Sequence, residues 1–119
     1  MGPVLMQMPI VINESDDEGR TGAVDVFASL SDAEGYIEPW FAQVRHWAYD
    51  ARGQPLKIRA DGNRTIITVD ASRPPIPETL RRVLIGFLSS LPSEGLTTLE
   101  LANIPLEDLT KRAAAHPTR

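Results

Sequence analysis

Of the side chains that could carry chemistry, His46 comes first. An imidazole works as a general base only where an acid orients it and a nucleophile stands within reach. Asp25, Asp50 and Asp70, on strands or strand ends, are the carboxylates that could converge on it. The strand pattern also offers a plainer role: His46 shares a face with Val44 and Ala48, which reads as a half-buried, hydrogen-bonded histidine. His116 follows the last helical run and reads as a partner for the negative end of that helix. Asp16-Asp17-Glu18 places three carboxylates side by side, whereas a calcium loop needs them at alternating positions with a distal bidentate Glu. No metal is expected. No cofactor is expected either, because the glycines never fall into GxGxxG or GxxxxGK[ST]. There is no GxSxG elbow, and the absence of cysteine removes thiol nucleophiles, thiolate zinc and disulfides. What remains is aromatic. Trp47 and Tyr49 share a strand face with Arg45, and with Trp40 and Phe41 they form either an exposed contact platform or a satellite core.

Composition narrows the classes further. A chain of 119 residues suffices for one domain and is too short for two ordinary ones. With 42% hydrophobic and 24% charged residues it has the balance of a globular protein. The net charge of -4 opposes a nucleic-acid partner, although Arg45, Arg52, Lys57 and Arg59 among the aromatics are the groups a single-strand binder would use. Charge is unevenly spread. Residues 1–38 hold eight acids and one base, and the rest of the chain holds eight acids and eleven bases. An acidic first third is either a solvated surface or a field that steers a basic partner. The N-terminus lacks a basic n-region and no apolar run approaches a membrane span, so a cytoplasmic protein with no membrane partner is expected.

The elements that must position these groups follow from periodicity. Residues 1–22 read as a flexible acidic segment in which Ile10-Val11-Ile12 could add an edge strand. Residues 23–119 read as a single domain. Val24–Ala28 alternates as a strand. Ser31-Asp32-Ala33-Glu34 has the form of a capping box, after which Ala33, Tyr36, Ile37 and Trp40 share one helical face. On that face Tyr36 and Trp40 read as core rather than contact. Pro39 shortens this helix. Val44–Tyr49, Leu56–Ala60 and Thr65–Asp70 form a meander with turns at Asp50-Ala51-Arg52-Gly53 and Asp61-Gly62-Asn63. Pro77 opens a helix whose Leu80, Val83, Leu84, Phe87, Leu88 and Leu91 form the clearest stripe in the chain. Leu96–Leu101 reads as a further strand, and Pro105 opens a last helix to about Ala115. The expected architecture is a two-layer α+β domain, a mainly antiparallel sheet with two or three helices on one face.

The run from the strand at Val24 through Ser31-Asp32-Ala33-Glu34-Gly35-Tyr36-Ile37-Glu38-Pro39-Trp40 to Tyr49-Asp50-Ala51-Arg52-Gly53-Gln54-Pro55-Leu56 resembles small standalone bacterial immunity proteins that accompany polymorphic toxins. The resemblance covers about a third of the chain and implies no catalysis: the protein would bind one cognate toxin and block it. Nuclease toxins present basic clefts, which an acidic surface could occupy with fast association. The expected partner-binding residues are Glu14, Asp16, Asp17, Glu18, Asp32, Glu34, Glu38, Trp47 and Tyr49. The alternative is a structural or adaptor protein that forms a homodimer through an exposed sheet face.

Overall fold

The computed structural model describes residues 5–118. Ile10–Glu14 form β1 and Ala23–Phe27 form β2, an antiparallel pair in the register Ile10↔Phe27 to Glu14↔Ala23. Alternation sends Val11 and Val26 to one core and Ile10, Ile12 and Phe27 to another. The other side of β1 pairs with β3, Trp47–Tyr49. With β4 at Pro55–Asp61 and β5 at Arg64–Val69, the sheet runs β2-β1-β3-β4-β5, antiparallel throughout.

The expectation of a flexible segment 1–22 with an edge strand is corrected here. Ile10, Val11 and Ile12 are buried; all three pair with β2, and Val11 and Ile12 also pair with β3 on the other side. A run that is apolar at consecutive positions is stable only where both faces are covered. A boundary at 22/23 would cut a hairpin, so β1 belongs to the domain. Residues 1–4 of that segment lie outside the described residues.

Helix α1 spans Leu30–Tyr36, a 3-10 helix spans Pro39–Gln43, α2 spans Pro77–Ser89, α3 spans Thr98–Ala102 and α4 spans Leu106–Ala114. The α+β class and the antiparallel sheet are as expected, but the helices occupy both faces. On one, α2, α3 and α4 close over Val11, Val26 and Tyr49 with Leu80, Leu84, Leu88, Leu101 and Leu109. On the other, α1 and the 3-10 helix cover Ile10, Ile12, Phe27, Ala48, Leu56, Ile58 and Ile67. The domain therefore has three layers rather than two.

Three local expectations change. The cap of α1 is Ser29, whose Oγ accepts from the Asp32 N–H at 3.0 Å, so the proposed box at Ser31 and Glu34 does not form. The strand expected at Leu96–Leu101 is α3, because Thr97 and Glu100 make a full capping box: Thr97 Oγ1 accepts from the Glu100 N–H and Glu100 Oε1 accepts from the Thr97 N–H, both at 3.2 Å. The strand expected from Val44 begins only at Trp47, because Val44–His46 lead out of the 3-10 helix that ends at Gln43 and pair with no neighbouring strand. The turn before β4 is as expected. Gly53 has φ +85°, and a Cβ there would stand 2.7 Å from Pro77 Cα, so only glycine lets this turn rest against the start of α2.

Both outer strands are blocked at points along their edges. Thr118 donates its N–H to Val26 O at 2.7 Å and accepts the Val26 N–H on Oγ1 at 2.9 Å, covering β2. Glu34 Oε2 accepts the Ile67 N–H of β5 at 2.8 Å. Occupied edge groups discourage strand-to-strand association. Among the described residues no helix is long and apolar enough to cross a membrane.

Candidate functional site

The acidic residues of the first third separate into two sites. The first is the β1–β2 loop. Glu14, Asp16 and Asp17 are exposed. Glu18 is not: its carboxylate turns inward, accepting two hydrogen bonds from Arg73 Nη2 at 2.9 Å and the Tyr49 hydroxyl proton at 2.5 Å. Burial of the phenol, followed by its bond to Glu18, pushes the Tyr49 pKa well above its ordinary value. Trp47 donates its indole N–H to Ser15 O at 3.1 Å, and the Arg73 guanidinium lies 5.9 Å from its ring centroid. Arg45 reaches Asp16 O at 3.4 Å. Within the loop, Asn13 is buried and clasps both ends, donating to Arg20 O and accepting from the Gly22 N–H. Thr21 rests on α2 at Gly86, where a Cβ would stand 2.5 Å from Thr21 Oγ1.

These contacts correct the expected roles of Tyr49, Trp47 and Glu18. Tyr49 is 0% exposed, inside the α2–α4 core, and Trp47 packs at the rim of that core. Together with Glu18 they fix the acidic loop to the body of the protein. The exposed Trp47–Tyr49 sheet face assumed for a homodimer is thus covered. The reason is topological: α2, α3 and α4 pack on the strand face opposite to Ala48, the face that carries Tyr49.

The second acidic site surrounds α1 and the 3-10 helix. Asp32 is exposed in the first turn of α1. Glu34 is half-buried against β5, a structural role in place of the expected contact role. Glu38 is exposed and its carboxylate accepts the Trp40 indole N–H. Here Tyr36 and Trp40, expected in the core, are 47% and 61% exposed. Helix α1 stops at Tyr36, and Pro39 starts a 3-10 helix, so the i+7 relation that would have buried Trp40 with Ala33 is broken.

Between these aromatics and the sheet lies a cleft of about 380 Å³. Its apolar lining is Ile12, Ile37 and Phe41, and Tyr36 and Trp40 flank it. Tyr36 is held by Phe27, ring centroids 5.6 Å apart, and Trp40 by Phe41 at 6.2 Å, edge-on. Two carboxylates complete the lining, Glu38 and Asp25. Asp25 sits on β2 opposite Ile12. Its presence was legible in part: once Val24 and Val26 face one core, Asp25 must face the other way.

The histidine constellation does not assemble. His46 Nδ1 lies 2.6 Å from Val44 O, and the ring stacks on Phe41 at 5.0 Å. Asp50 is fully buried and committed elsewhere. Its Oδ1 accepts the N–H groups of Arg52 and Gln54, and its Oδ2 accepts the Gln7 N–H and Arg52 Nη2. Asp25 Oδ1 accepts the Thr118 hydroxyl at 3.1 Å. Asp70 shares a shallow cleft with His46, but its Oδ1 accepts both the hydroxyl and the N–H of Ser72, which hold its pKa below the usual carboxylate value. His116 does not simply end a helix; it stands 3.8 Å from Glu94, beside Arg112 at 3.9 Å from the same carboxylate. Among the described residues no group of three or more His, Asp or Glu side chains is placed to hold a metal ion. No family model, no curated protein and no solved structure matches the chain, so the reading of this site rests on its own residues.

Proposed function

We propose that this chain is a non-enzymatic binding protein of the immunity type, which neutralises a bacterial toxin by covering it with the acidic surface of α1 and the 3-10 helix. The observation that carries the reading is the exposure of Tyr36 and Trp40 beside Asp25, Asp32 and Glu38. Large rigid aromatics at the centre of a patch and charges at its rim are the composition of a protein-binding hot spot. The exposed Glu14, Asp16 and Asp17 extend the negative field toward a basic partner and raise its encounter rate.

The test is association with a toxin domain, sought first in the product of the neighbouring reading frame. Purified chain should bind that domain in a 1:1 complex, relieve its toxicity on co-expression, and bind less tightly as salt rises. Absence of binding to that domain at low salt would overturn the reading.

A further inference from the structure

The α1 cleft differs from the rest of the surface in the charges that line it. Among the described residues, four other clefts each include a basic side chain: Arg52 and Lys111 in one, Lys57, Arg59 and Arg73 in the second, Arg45 in the third and Arg64 in the fourth. Among the described residues, the cleft of Tyr36 and Trp40 is lined by two carboxylates and no base. Each carboxylate is anchored through one oxygen, Asp25 Oδ1 by the Thr118 hydroxyl and Glu38 Oε2 by the Trp40 indole. Among the described residues, Asp25 Oδ2 and Glu38 Oε1 accept no protein hydrogen bond. Because Glu38 holds Trp40 by the edge of its indole, the face of the ring is left for a ligand. An aromatic face attracts a cation through its quadrupole. Two carboxylates with an acceptor to spare favour a cation that brings several N–H donors in one plane.

We propose that this cleft is the specificity pocket for an arginine side chain of the protein partner, with the guanidinium flat on Trp40 and hydrogen-bonded to Asp25 and Glu38. The inference rests on the binding reading above and names the group the partner must present. The apolar lining of Ile12, Ile37 and Phe41 receives the aliphatic stem of that arginine, as long cationic side chains bury their methylenes and keep their heads polar.

The experiment uses the intact chain and small probes, so it does not depend on having the partner. N-acetyl-arginine amide, its neutral isostere N-acetyl-citrulline amide, and tetramethylammonium are titrated into 15N-labelled protein. The indole N–H of Trp40 reports on the cleft, and that of Trp47, bonded to Ser15 O on the opposite side of the sheet, is the internal reference. Arginine amide should shift the Trp40 resonance saturably and leave Trp47 in place, with citrulline amide at least about tenfold weaker because it lacks the charge. Glu38→Gln and the Asp25→Asn/Glu38→Gln pair, checked for a dispersed native spectrum, should weaken the arginine response stepwise. Equal response to citrulline, binding of tetramethylammonium as tight as arginine, or an unchanged response in Glu38→Gln would each overturn the assignment. If arginine fails while the chain still binds the toxin domain, the pocket is wrong and the function stands; if the toxin domain is not bound, the function is wrong whatever the probes show.

Discussion

The two faces of the sheet are built from similar residues and end in different states. On the α2–α4 face, Tyr49, Leu80, Leu84, Leu88, Leu101 and Leu109 are sealed from water by three helices. On the other, an equally apolar floor is covered by a seven-residue helix and a five-residue 3-10 helix, and the lid itself carries Tyr36 and Trp40 into solvent. A long amphipathic helix can bury a continuous stripe, and a short broken one cannot. The first face thus holds the fold, and the second is left with aromatic surface that a partner can bury. Charge follows the same division: Glu18 is neutralised internally by Arg73, while Asp32 and Glu38 are exposed and half-buried Asp25 lines the α1 cleft.

The largest effect that tests this division is Leu84→Ala. It empties a fully buried site beneath α2 and should cost about 2–5 kcal/mol by denaturant unfolding. Affinity for the partner, measured where the variant is still folded, should be unchanged. Next is Tyr49→Phe, which removes a hydrogen bond to a carboxylate and should cost about 1.5 kcal/mol, the low end for bonds to charged groups because Arg73 still holds Glu18. Its pH dependence gives a second reading. The folded phenol keeps its proton above the ordinary value of 10.0 at which the unfolded one loses it. That contribution is fully present below this value and is lost as pH rises beyond it, by up to about 1.4 kcal/mol per pH unit. The stability gap between wild type and Tyr49→Phe should therefore narrow above pH 10; a gap constant to pH 11 would contradict the buried pair. Thr97→Ala, which removes the cap of α3, should cost about 1 kcal/mol. Smallest in stability is Trp40→Ala, within about 0.5 kcal/mol of wild type because the side chain is exposed. The same change should weaken partner binding more than any other single substitution on this face. If Trp40→Ala unfolds the protein instead, the α1 face is core and the comparison fails.

Much of the architecture was legible along the chain. The stripe from Leu80 to Leu88 became α2, the alternation of Leu56 and Ile58 with Lys57 and Arg59 became β4, and Gly53 took the left-handed turn expected of it. These features are local: each depends on neighbours within a few residues. The misreadings lie where a local pattern has two physical outcomes. Ile10-Val11-Ile12 has the same composition at an edge or in the middle of a sheet. Thr97-Thr98-Leu99-Glu100 alternates like a strand and also carries the Thr97–Glu100 cap, and the reciprocal hydrogen bonds decided for helix.

The candidate site was half-visible. Amino-acid order alone determined that the first third is acidic, that no thiol or phosphate-loop chemistry is present, and that Pro39 keeps the first helix short. It could not determine which acids stay free. Glu18 meets Arg73 across 55 positions and Glu34 meets Ile67 across 33, whereas Asp25 is brought to Glu38 and Trp40 by the pairing of β2 with β1. Charge and periodicity are properties of short stretches, but whether a carboxylate is spent inside or offered outside depends on which distant donor the folded chain brings to it, and that only the tertiary structure decided.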